Sequence, residues 1–380
     1  KETKEFVYEW LKPYFKDIEA IELSDDMDVR EIITNLKAQA GSISLNDKKE
    51  DCLDIIKAVA FYIFHEKPDL QLPAILYSRS QMGGYLKTDI NGVRTVSAKG
   101  MKYKSRVVWC IDAATIMVEG TIARPMMEVL CKVQQYAGGK MDSAISHIVR
   151  GWNNHFWTSV DYSSYDSSIP SWLIHDIFTM IKGWFGNKHD ALISWIENQF
   201  INTTFYDYRG KLRSKTKGVP SGSYFTQIVD SLANYILILT WMRSKYGDFN
   251  VIKSEIFENN TISMCVMGDD NIIFTKIPLN MKHLASYLKH NFGIEMHPDK
   301  CDKGTCNDSP KFLKRAWTAE GSDRDLLELL IEAIHSERFR AYKKKGSSPW
   351  HVIFGYYMSY PVAMKKLFTL TEIMDGMKRH

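Results

Sequence analysis

Several features that would point directly to a function are scarce or missing in this sequence. The six cysteines among the 380 residues are scattered, and none forms a C-x-x-C pair. This argues against a disulfide scaffold and fits a reducing compartment. The formal net charge is only +4, so overall charge does not identify a partner. The most apolar run, residues 235–242, is too short to span a bilayer, which predicts no membrane segment.

The chain also shows no secretory signal, no internal repeat and no low-complexity tract. It begins at Lys1 without a starting Met, which predicts a fragment or a processed chain. The content of 45% hydrophobic and 25% charged residues is typical of a globular protein. Its length allows one large core or two to three subdomains.

Hydrophobic periodicity and turn residues predict helices and strands that mix without a strict βαβ repeat, which indicates an α+β fold. We expect helices within residues 1–75, 107–150, 171–186, 224–245 and 280–291 and from 318 onward, strands at 156–170, 198–217 and 262–275, a short strand pair within 293–317, and loops with short strands at 76–106.

The stretch SMCVMGDDNIIFT, residues 263–275, places two adjacent aspartates between two apolar runs. The runs predict a β-hairpin with Gly268 in its turn. Asp269 and Asp270 would then lie close together at an exposed edge, where they repel each other unless a cation such as Mg²⁺ binds. The alternative is that Gly-Asp-Asp-Asn is simply a favourable turn sequence.

A second acidic segment, VDYSSYDSS, places Asp161 at the end of an apolar strand and Asp166 five residues later. Asp161, Asp269 and Asp270 could supply carboxylates for two metal ions about 3.5–4 Å apart, the arrangement of in-line phosphoryl transfer. The alternative is that Asp161 and Asp166 are capping or turn residues beside the neighbouring serines.

The third segment, GVPSGSYFTQIVDSLANY, predicts a loop containing Gly218, Pro220 and Gly222 that opens onto a helix. Thr226, Asp230 and Asn234 follow at steps of four residues and form a polar stripe on that helix. Such a loop and stripe could hold a sugar or a phosphate. The alternative is a capped helix with a solvated polar face.

The order of these segments resembles that of viral RNA-directed RNA polymerases of the right-hand type. DYSSYD, PSGSYFTQIVDS and MGDDN are similar to the family's three palm motifs. KFLKRAW, residues 311–317, resembles its primer-grip motif, and KYKSRVVW, residues 102–109, resembles the basic motif of the fingers. The resemblance covers roughly residues 80–317 and is greatest to double-stranded-RNA viruses of the partitivirus and picobirnavirus kind.

This resemblance implies a role for each matching residue. Asp161 and Asp269 would be the main metal ligands, with Asp270 beside them. Arg106, with Lys102 or Lys104, would bind the triphosphate. Asp166 and Asp230 would bind the ribose. Ser221, Gly222 and Thr226 would position the template base and ribose. Lys314 and Arg315 would contact the backbone of the primer or product RNA.

Three departures from the family pattern bear on these roles. Many polymerases of single-stranded-RNA viruses carry Asn where this chain has Asp230, and an ionised aspartate cannot donate a hydrogen bond. The general-acid lysine has no unique match, because Lys289, His290 and Lys300 all fit loosely; we favour Lys289. About 65 residues follow FLKR, which leaves room only for a small or truncated thumb.

We therefore expect an α+β right hand: N-terminal helices and fingers in 1–150, palm in 151–186 and 218–317, a fingers insertion in 187–217, and thumb in 318–380. The palm would be an antiparallel sheet backed by helices. The expected activity is RNA synthesis from an RNA template and nucleoside triphosphates with two Mg²⁺ or Mn²⁺ ions. Expected partners are the template, the product duplex and a viral capsid protein, in the virion or the host cytoplasm. The alternatives are a reverse transcriptase-like enzyme and a non-catalytic RNA-binding protein.

Overall fold

The computed structural model describes residues 1–66, 69–83, 86–88, 94–96, 102–152, 155–207, 209–305 and 307–329, and isolated residues between 355 and 369. For 80–83, 86–88, 94–96 and 102–104 the backbone alone is described. No helix within these residues is long and apolar enough to cross a membrane.

The described residues contain both α-helices and strands. The helices are α1 (Glu2–Leu11), α2 (Leu53–Glu66), α3 (Ala113–Leu130), α4 (Asp142–Arg150), α5 (Tyr165–Ser168), α6 (Ser171–Phe185), α7 (Asp190–Ile201), α8 (Thr226–Tyr246), α9 (Phe249–Phe257) and α10 (Met281–Phe292). The strands are β1 (Ile75–Gly83), β2 (Leu86–Thr88), β3 (Arg94–Val96), β4 (Lys102–Cys110), β5 (Phe156–Ser159), β6 (Thr204–Tyr206), β7 (Leu212–Ser214), β8 (Ile262–Met267), β9 (Asp270–Thr275), β10 (Asp302–Gly304), β11 (Lys311–Phe312), β12 (Arg315–Thr318) and β13 (Gly321–Asp323).

The largest sheet among the described residues has four antiparallel strands in the order β10-β5-β9-β8. Strands β8 and β9 are almost continuously buried. Their apolar runs therefore lie inside the protein, as the hairpin pattern predicted. The consecutive strands β8 and β9 form the hairpin, whereas β5 comes from far earlier in the chain and pairs with β9.

Helix α8 is the central element beside this sheet. It packs on β8, and fourteen of its 21 residues are buried. Phe225, immediately before its first turn, contacts Phe178 of α6 with ring centroids 5.2 Å apart. The helix ends at Gly247, whose φ of +81° is the left-handed conformation that favours glycine after a helix. This long buried helix forms one wall of the core, and it is the element that positions the site.

The chain divides into two compact units. One contains residues 1–77, 108–140 and 152–306, and it includes the four-stranded sheet and α8. The other contains residues 78–107, 141–151 and 307–380, and it includes the three-stranded sheet β11-β12-β13. The finer division into fingers, palm and thumb stays a prediction.

Most predicted elements are present, and the differences have local causes. Residues 198–201, expected in a strand, complete helix α7, because Phe200 continues the buried apolar face of that helix. Only 204–206 and 212–214 form strands in the region predicted for them. Helix α9 was not predicted; Asp248 caps its first turn by accepting a hydrogen bond from the Asn250 backbone N–H.

Candidate active site

The two adjacent aspartates lie at the turn of the β8–β9 hairpin. Register pairs Met267 with Asp270, so Gly268 and Asp269 form a two-residue turn. Gly268 has a φ of +64°, and Asp269 has no positive φ, which is the pattern of a type II′ turn with glycine at its first central position. Asp269 is exposed at the tip, and Asp270 is half-buried as the first residue of β9.

Strand β5 brings Asp161 to the same edge. Thr158 pairs with Ile273 of β9, and two residues later the Val160 backbone N–H donates to Asn271 Oδ1 at 3.2 Å. Asp161 follows directly and is exposed; its carbonyl accepts from the backbone N–H of His297 at 3.1 Å. The continuing antiparallel register therefore places Asp161 beside the turn that carries Asp269.

A buried polar network fixes the backbone beneath these carboxylates. Asn234 of α8 is fully buried, and its Oδ1 accepts from the Tyr162 hydroxyl and from Asn271 Nδ2, each at 3.0 Å. Its Nδ2 donates to the carbonyls of Gly268 and Asp269 at 3.0 and 3.1 Å. One amide thus ties together the strand end carrying Asp161, the start of β9 and the hairpin turn.

A second side chain of α8 holds the same turn. Ser231 Oγ accepts a hydrogen bond from the backbone N–H of Gly268 at 2.8 Å and donates to the carbonyl of Gln227 at 2.6 Å. The turn is therefore held from below through its N–H and both of its carbonyls. Its exposed side, where Asp269 lies, remains accessible to a ligand.

The two exposed carboxylates fit a hard divalent cation. Among the described residues no lysine or arginine forms an ion pair with Asp161 or Asp269. No group of three or more His, Cys, Asp and Glu side chains that could hold a metal occurs within that part of the chain. Mg²⁺ is commonly held by one or two carboxylates together with substrate phosphates and waters, so a pair without a third ligand suits it.

The polar stripe of α8 is buried rather than solvated. Asp230 is 3% exposed, and its Oδ1 has no hydrogen-bond partner among the described residues. Burial, followed by the like charges of Asp166 and Asp269, raises the pKa of Asp230 well above its usual range. A raised pKa favours the protonated form of a carboxyl, and that form can donate a hydrogen bond as the amide of Asn does.

The glycine loop 218–225 lies against two backbone segments. A Cβ on Gly222 would be 1.8 Å from the Trp109 carbonyl oxygen, so only glycine fits there. A Cβ on Gly218, which has a φ of +79°, would lie 2.7 Å from the Asp166 carbonyl oxygen and 2.8 Å from Ser167 Cα. The Asp166 carbonyl also accepts from the N–H of Val219 at 2.7 Å. The structure thus brings the loop and Asp166 together.

Three predicted residues of this loop and helix differ in their surroundings. Ser221 is exposed, as a nucleotide-binding role requires. Gly222 has a packing role in addition to the predicted one. Thr226 Oγ1 donates to the Pro220 carbonyl at 2.9 Å, so the hydroxyl closes the loop onto the start of α8.

Sequence reasoning missed the carboxylate that anchors the far end of this loop. Glu119 of α3 is 1% exposed, and its Oε2 accepts from Ser223 Oγ at 2.8 Å and from the Tyr224 backbone N–H at 2.9 Å. Burial raises the pKa of Glu119 to about 7, and the two hydrogen bonds and Lys49 oppose that rise. The acid lies inside the apolar helix sequence ATIMVEGTIA, and that misplaced charge was the available signal.

A buried cation holds the near end of the loop. Lys215 is 9% exposed, and its Nζ donates to the carbonyls of Gly218 at 2.6 Å and Ile201 at 2.9 Å. Burial lowers the pKa of Lys215 to about 8. The loop is therefore fixed at its two ends by a buried lysine and a buried glutamate.

The candidate general acid is near the site but already paired. Lys289 is exposed in the last turn of α10, and its Nζ forms an ion pair with Glu295 at 3.0 Å. The backbone carbonyl of Glu295 accepts from the N–H of Ser163, two residues after Asp161. The choice among Lys289, His290 and Lys300 stays a prediction.

The remaining predicted contacts lie in the other compact unit. Arg106 is exposed on β4, and the side chains of Lys102 and Lys104 lie outside the described residues. Lys314 is exposed in the β11–β12 turn. Arg315 forms an ion pair with Asp142, and its guanidinium lies over the Tyr360 ring at 4.7 Å. Of the two residues predicted to contact RNA, Lys314 is the more accessible.

Comparison with known proteins indicates the same family as the sequence motifs. A family model described as viral RNA-dependent RNA polymerase matches residues 84–332. An RNA-directed RNA polymerase of Cryptosporidium parvum virus 1 is 24% identical over 194 residues, which are 48% of this chain and 34% of that protein. The genome polyprotein of human rhinovirus 3 is 23% identical over 282 residues, 72% of this chain and 12% of the polyprotein. The chain thus spans about a third of the first of these relatives.

Solved structures give the fold. The crystal structure of the RNA-dependent RNA polymerase of a human picobirnavirus matches with a TM-score of 0.62 at 13% identity, over 87% of this chain and 62% of that one. A mutant of such an enzyme that lacks an insertion loop matches with the same TM-score at 12% identity, over 86% and 62%. The expected right-hand fold of mixed helices and strands is confirmed. Because the family model covers well over half of its length, the chain belongs to the viral RNA-dependent RNA polymerase family.

Proposed function

We propose that this chain carries out template-directed RNA synthesis, joining a ribonucleoside triphosphate to the 3′ end of a growing RNA and releasing pyrophosphate. The supporting observation is the pair of exposed carboxylates, Asp161 and Asp269, held at neighbouring strand ends by a fully buried amide. A fully buried amide that orders two exposed acids suits a site that must hold charges in a fixed geometry before its ligands arrive.

Asp161 and Asp269 would hold two Mg²⁺ or Mn²⁺ ions, with Asp270 beside them. When bound, such ions lower the pKa of the attacking hydroxyl and stabilise charge on the phosphates. The protein's own contribution is positional, because the strand register and the α8 hydrogen bonds set the carboxylate positions before substrate binds.

Asp166 and the glycine loop would bind the incoming nucleotide. The Asp166 carbonyl accepts a hydrogen bond from the Val219 backbone N–H, so Asp166 lies against the loop that carries exposed Ser221. An acceptor at Asp166 favours ribose, whose 2′-hydroxyl can donate to it. Asp230, whose pKa burial raises well above its usual range, would lie with Asp166 at the ribose. The template, the product duplex and a capsid protein are the proposed partners, in the virion or the host cytoplasm.

The decisive experiment compares Asp269→Asn with Asp54→Asn, which removes an equal charge from an exposed position on α2. Asp269→Asn should abolish incorporation of a labelled ribonucleotide while RNA binding is retained, and Asp54→Asn should leave both unchanged. Equal incorporation by the two variants would refute the two-metal site. Preferred incorporation of deoxyribonucleotides would instead favour the reverse transcriptase-like alternative.

A further inference from the structure

A run of alternating basic residues leads into the glycine loop. Residues 207–217, DYRGKLRSKTK, contain five lysines and arginines and one aspartate, a net charge of +4. The whole chain also has a net charge of +4, so the remaining 369 residues carry none in sum. The excess positive charge of the protein is thus contained in this basic segment, residues 207–217.

Residues 212–214 of the basic segment form strand β7, which pairs with β6 in a hairpin. Phe205 pairs with Arg213, and Tyr206 pairs with Leu212. The Phe205 ring meets Trp109 edge-on with centroids 5.3 Å apart, which anchors one face of the hairpin to the body. Tyr206 and Leu212 lie on the opposite face and are 57% and 56% exposed.

Three cations of this segment already take part in interactions. Arg213 Nε lies 3.1 Å from Asp207 Oδ2, buried Lys215 donates to backbone carbonyls, and Arg209 is also engaged. Lys211 and Lys217 are exposed, and neither forms an ion pair within the described part of the chain. These two ammonium groups are therefore available to an anionic ligand.

The C-terminal part of the basic segment is hydrogen-bonded to neighbouring elements and leads directly into the candidate active site. The Thr216 carbonyl accepts from Ser171 Oγ at 2.8 Å, and the Lys215 backbone N–H donates to Thr203 at 2.9 Å. Lys217 directly precedes Gly218, at the point where the glycine loop meets Asp166. An anion bound along this strand would thus lie at the entrance to the loop.

We propose that the basic segment, with exposed Tyr206, is a binding site for the phosphates and bases of single-stranded RNA. The chemistry that indicates a single strand is the combination of free cations with an exposed aromatic ring. Cations follow the phosphate backbone, and the ring stacks on an unpaired base, whose face is not available within a duplex. The proposal rests on the proposed function, because RNA is the polyanion that a polymerase must admit.

The test measures binding of a fluorescent single-stranded oligouridylate by anisotropy over a series of salt concentrations. The double variant Lys211→Gln/Lys217→Gln should bind more weakly. The slope of log K against log salt should become shallower by about 1.4, since each lost phosphate contact on a single strand contributes about 0.7. Tyr206→Ala should weaken binding several-fold without changing that slope.

The control is Lys253→Gln/Lys282→Gln, which removes the same charge from exposed positions on α9 and α10. An equal loss in both double variants would overturn the proposal, because it would mean a general charge effect. Weaker duplex binding with unchanged single-strand binding would overturn it too.

Failure of this proposal is distinguishable from failure of the proposed function. At low salt and saturating annealed RNA, the Lys211→Gln/Lys217→Gln variant should still incorporate a nucleotide. Asp269→Asn should instead bind oligouridylate normally without incorporation. Normal single-strand binding by the double-lysine variant would refute the basic segment alone, and full incorporation by Asp269→Asn would refute the function alone.

Discussion

Replacing Asn234 with Ala should separate the two strand ends that carry the candidate metal ligands. The change removes the single acceptor used by the Tyr162 hydroxyl and by Asn271 Nδ2. It also removes the donor to the carbonyls of Gly268 and Asp269. Four hydrogen bonds converge on this side chain, and it is 0% exposed.

The expected loss of stability follows from which groups are left buried. Tyr162 and Asn271 are 9% and 1% exposed, so neither freed donor can easily reach water. Each buried unpaired group costs about 1–3 kcal/mol, which gives about 2–6 kcal/mol for the pair. The freed carbonyls of the turn add little to this loss of stability, because Gly268 is half-buried and Asp269 is exposed, so water can bond to them.

Urea denaturation followed by tryptophan fluorescence measures this loss, and single-nucleotide incorporation measures the effect on the site. We expect incorporation to fall by about 10²-fold or more, since a shift of about 1 Å in a catalytic group has that effect. Gln227→Ala on the same helix is the matched control, because its Nε2 has no partner among the described residues.

A double-mutant cycle decides whether the network is the cause. Tyr162→Phe removes one of the stranded donors, so Asn234→Ala should cost less in that background than in the wild type. An interaction energy of about 0.5–3 kcal/mol is typical of residues in one network. Strict additivity, or an Asn234→Ala variant as stable and active as Gln227→Ala, would refute the argument.

Three further predictions concern the loop and its supports. Gly222→Ala should reduce incorporation by about 10²-fold or prevent folding, because the added Cβ would overlap the Trp109 carbonyl oxygen; soluble yield and incorporation measure this. The pKa of Glu119 rises on folding from 4.5 to about 7, so the native protein binds a proton that the unfolded chain releases as the pH rises between these values. The free energy of unfolding of the wild type should therefore fall by about 3 kcal/mol relative to Glu119→Gln as pH rises from 4.5 to 7. Urea denaturation midpoints across that pH range test this. Asp230→Asn should keep most incorporation, because burial raises the pKa of this carboxyl and disfavours its charged form; a complete loss would show that the charged form is needed.

The hairpin and helix α8 could be predicted from the sequence because local patterns determine them. Two apolar runs around Gly268 have few alternatives to a hairpin, and the 3.6-residue period of α8 extends over its full length. The proximity of Asp161 to Asp269 depends instead on a pairing between strands more than a hundred residues apart. No local pattern encodes that register, and the family resemblance supplied it.

The anchoring roles of Glu119 and Lys215 could not be predicted for a different reason. A lone acid in an apolar helix and a lysine in a basic run have ordinary surface interpretations. Only the fold shows that both are buried and that each bonds a different end of the loop 218–225. Burial of a charge depends on what covers it, and distant parts of the chain provide that cover.

Helix α8 links the two halves of the candidate site mechanically. Thr226 closes the glycine loop, Asp230 lies one turn later, and Asn234 holds the Asp269 turn one turn beyond that. Eight residues of helix span about 12 Å, and a helix resists change in that length. The position of Ser221 relative to Asp269 is therefore set by one rigid element. A substitution that shifts the buried face of α8 should alter nucleotide positioning and carboxylate geometry together, even where it contacts neither.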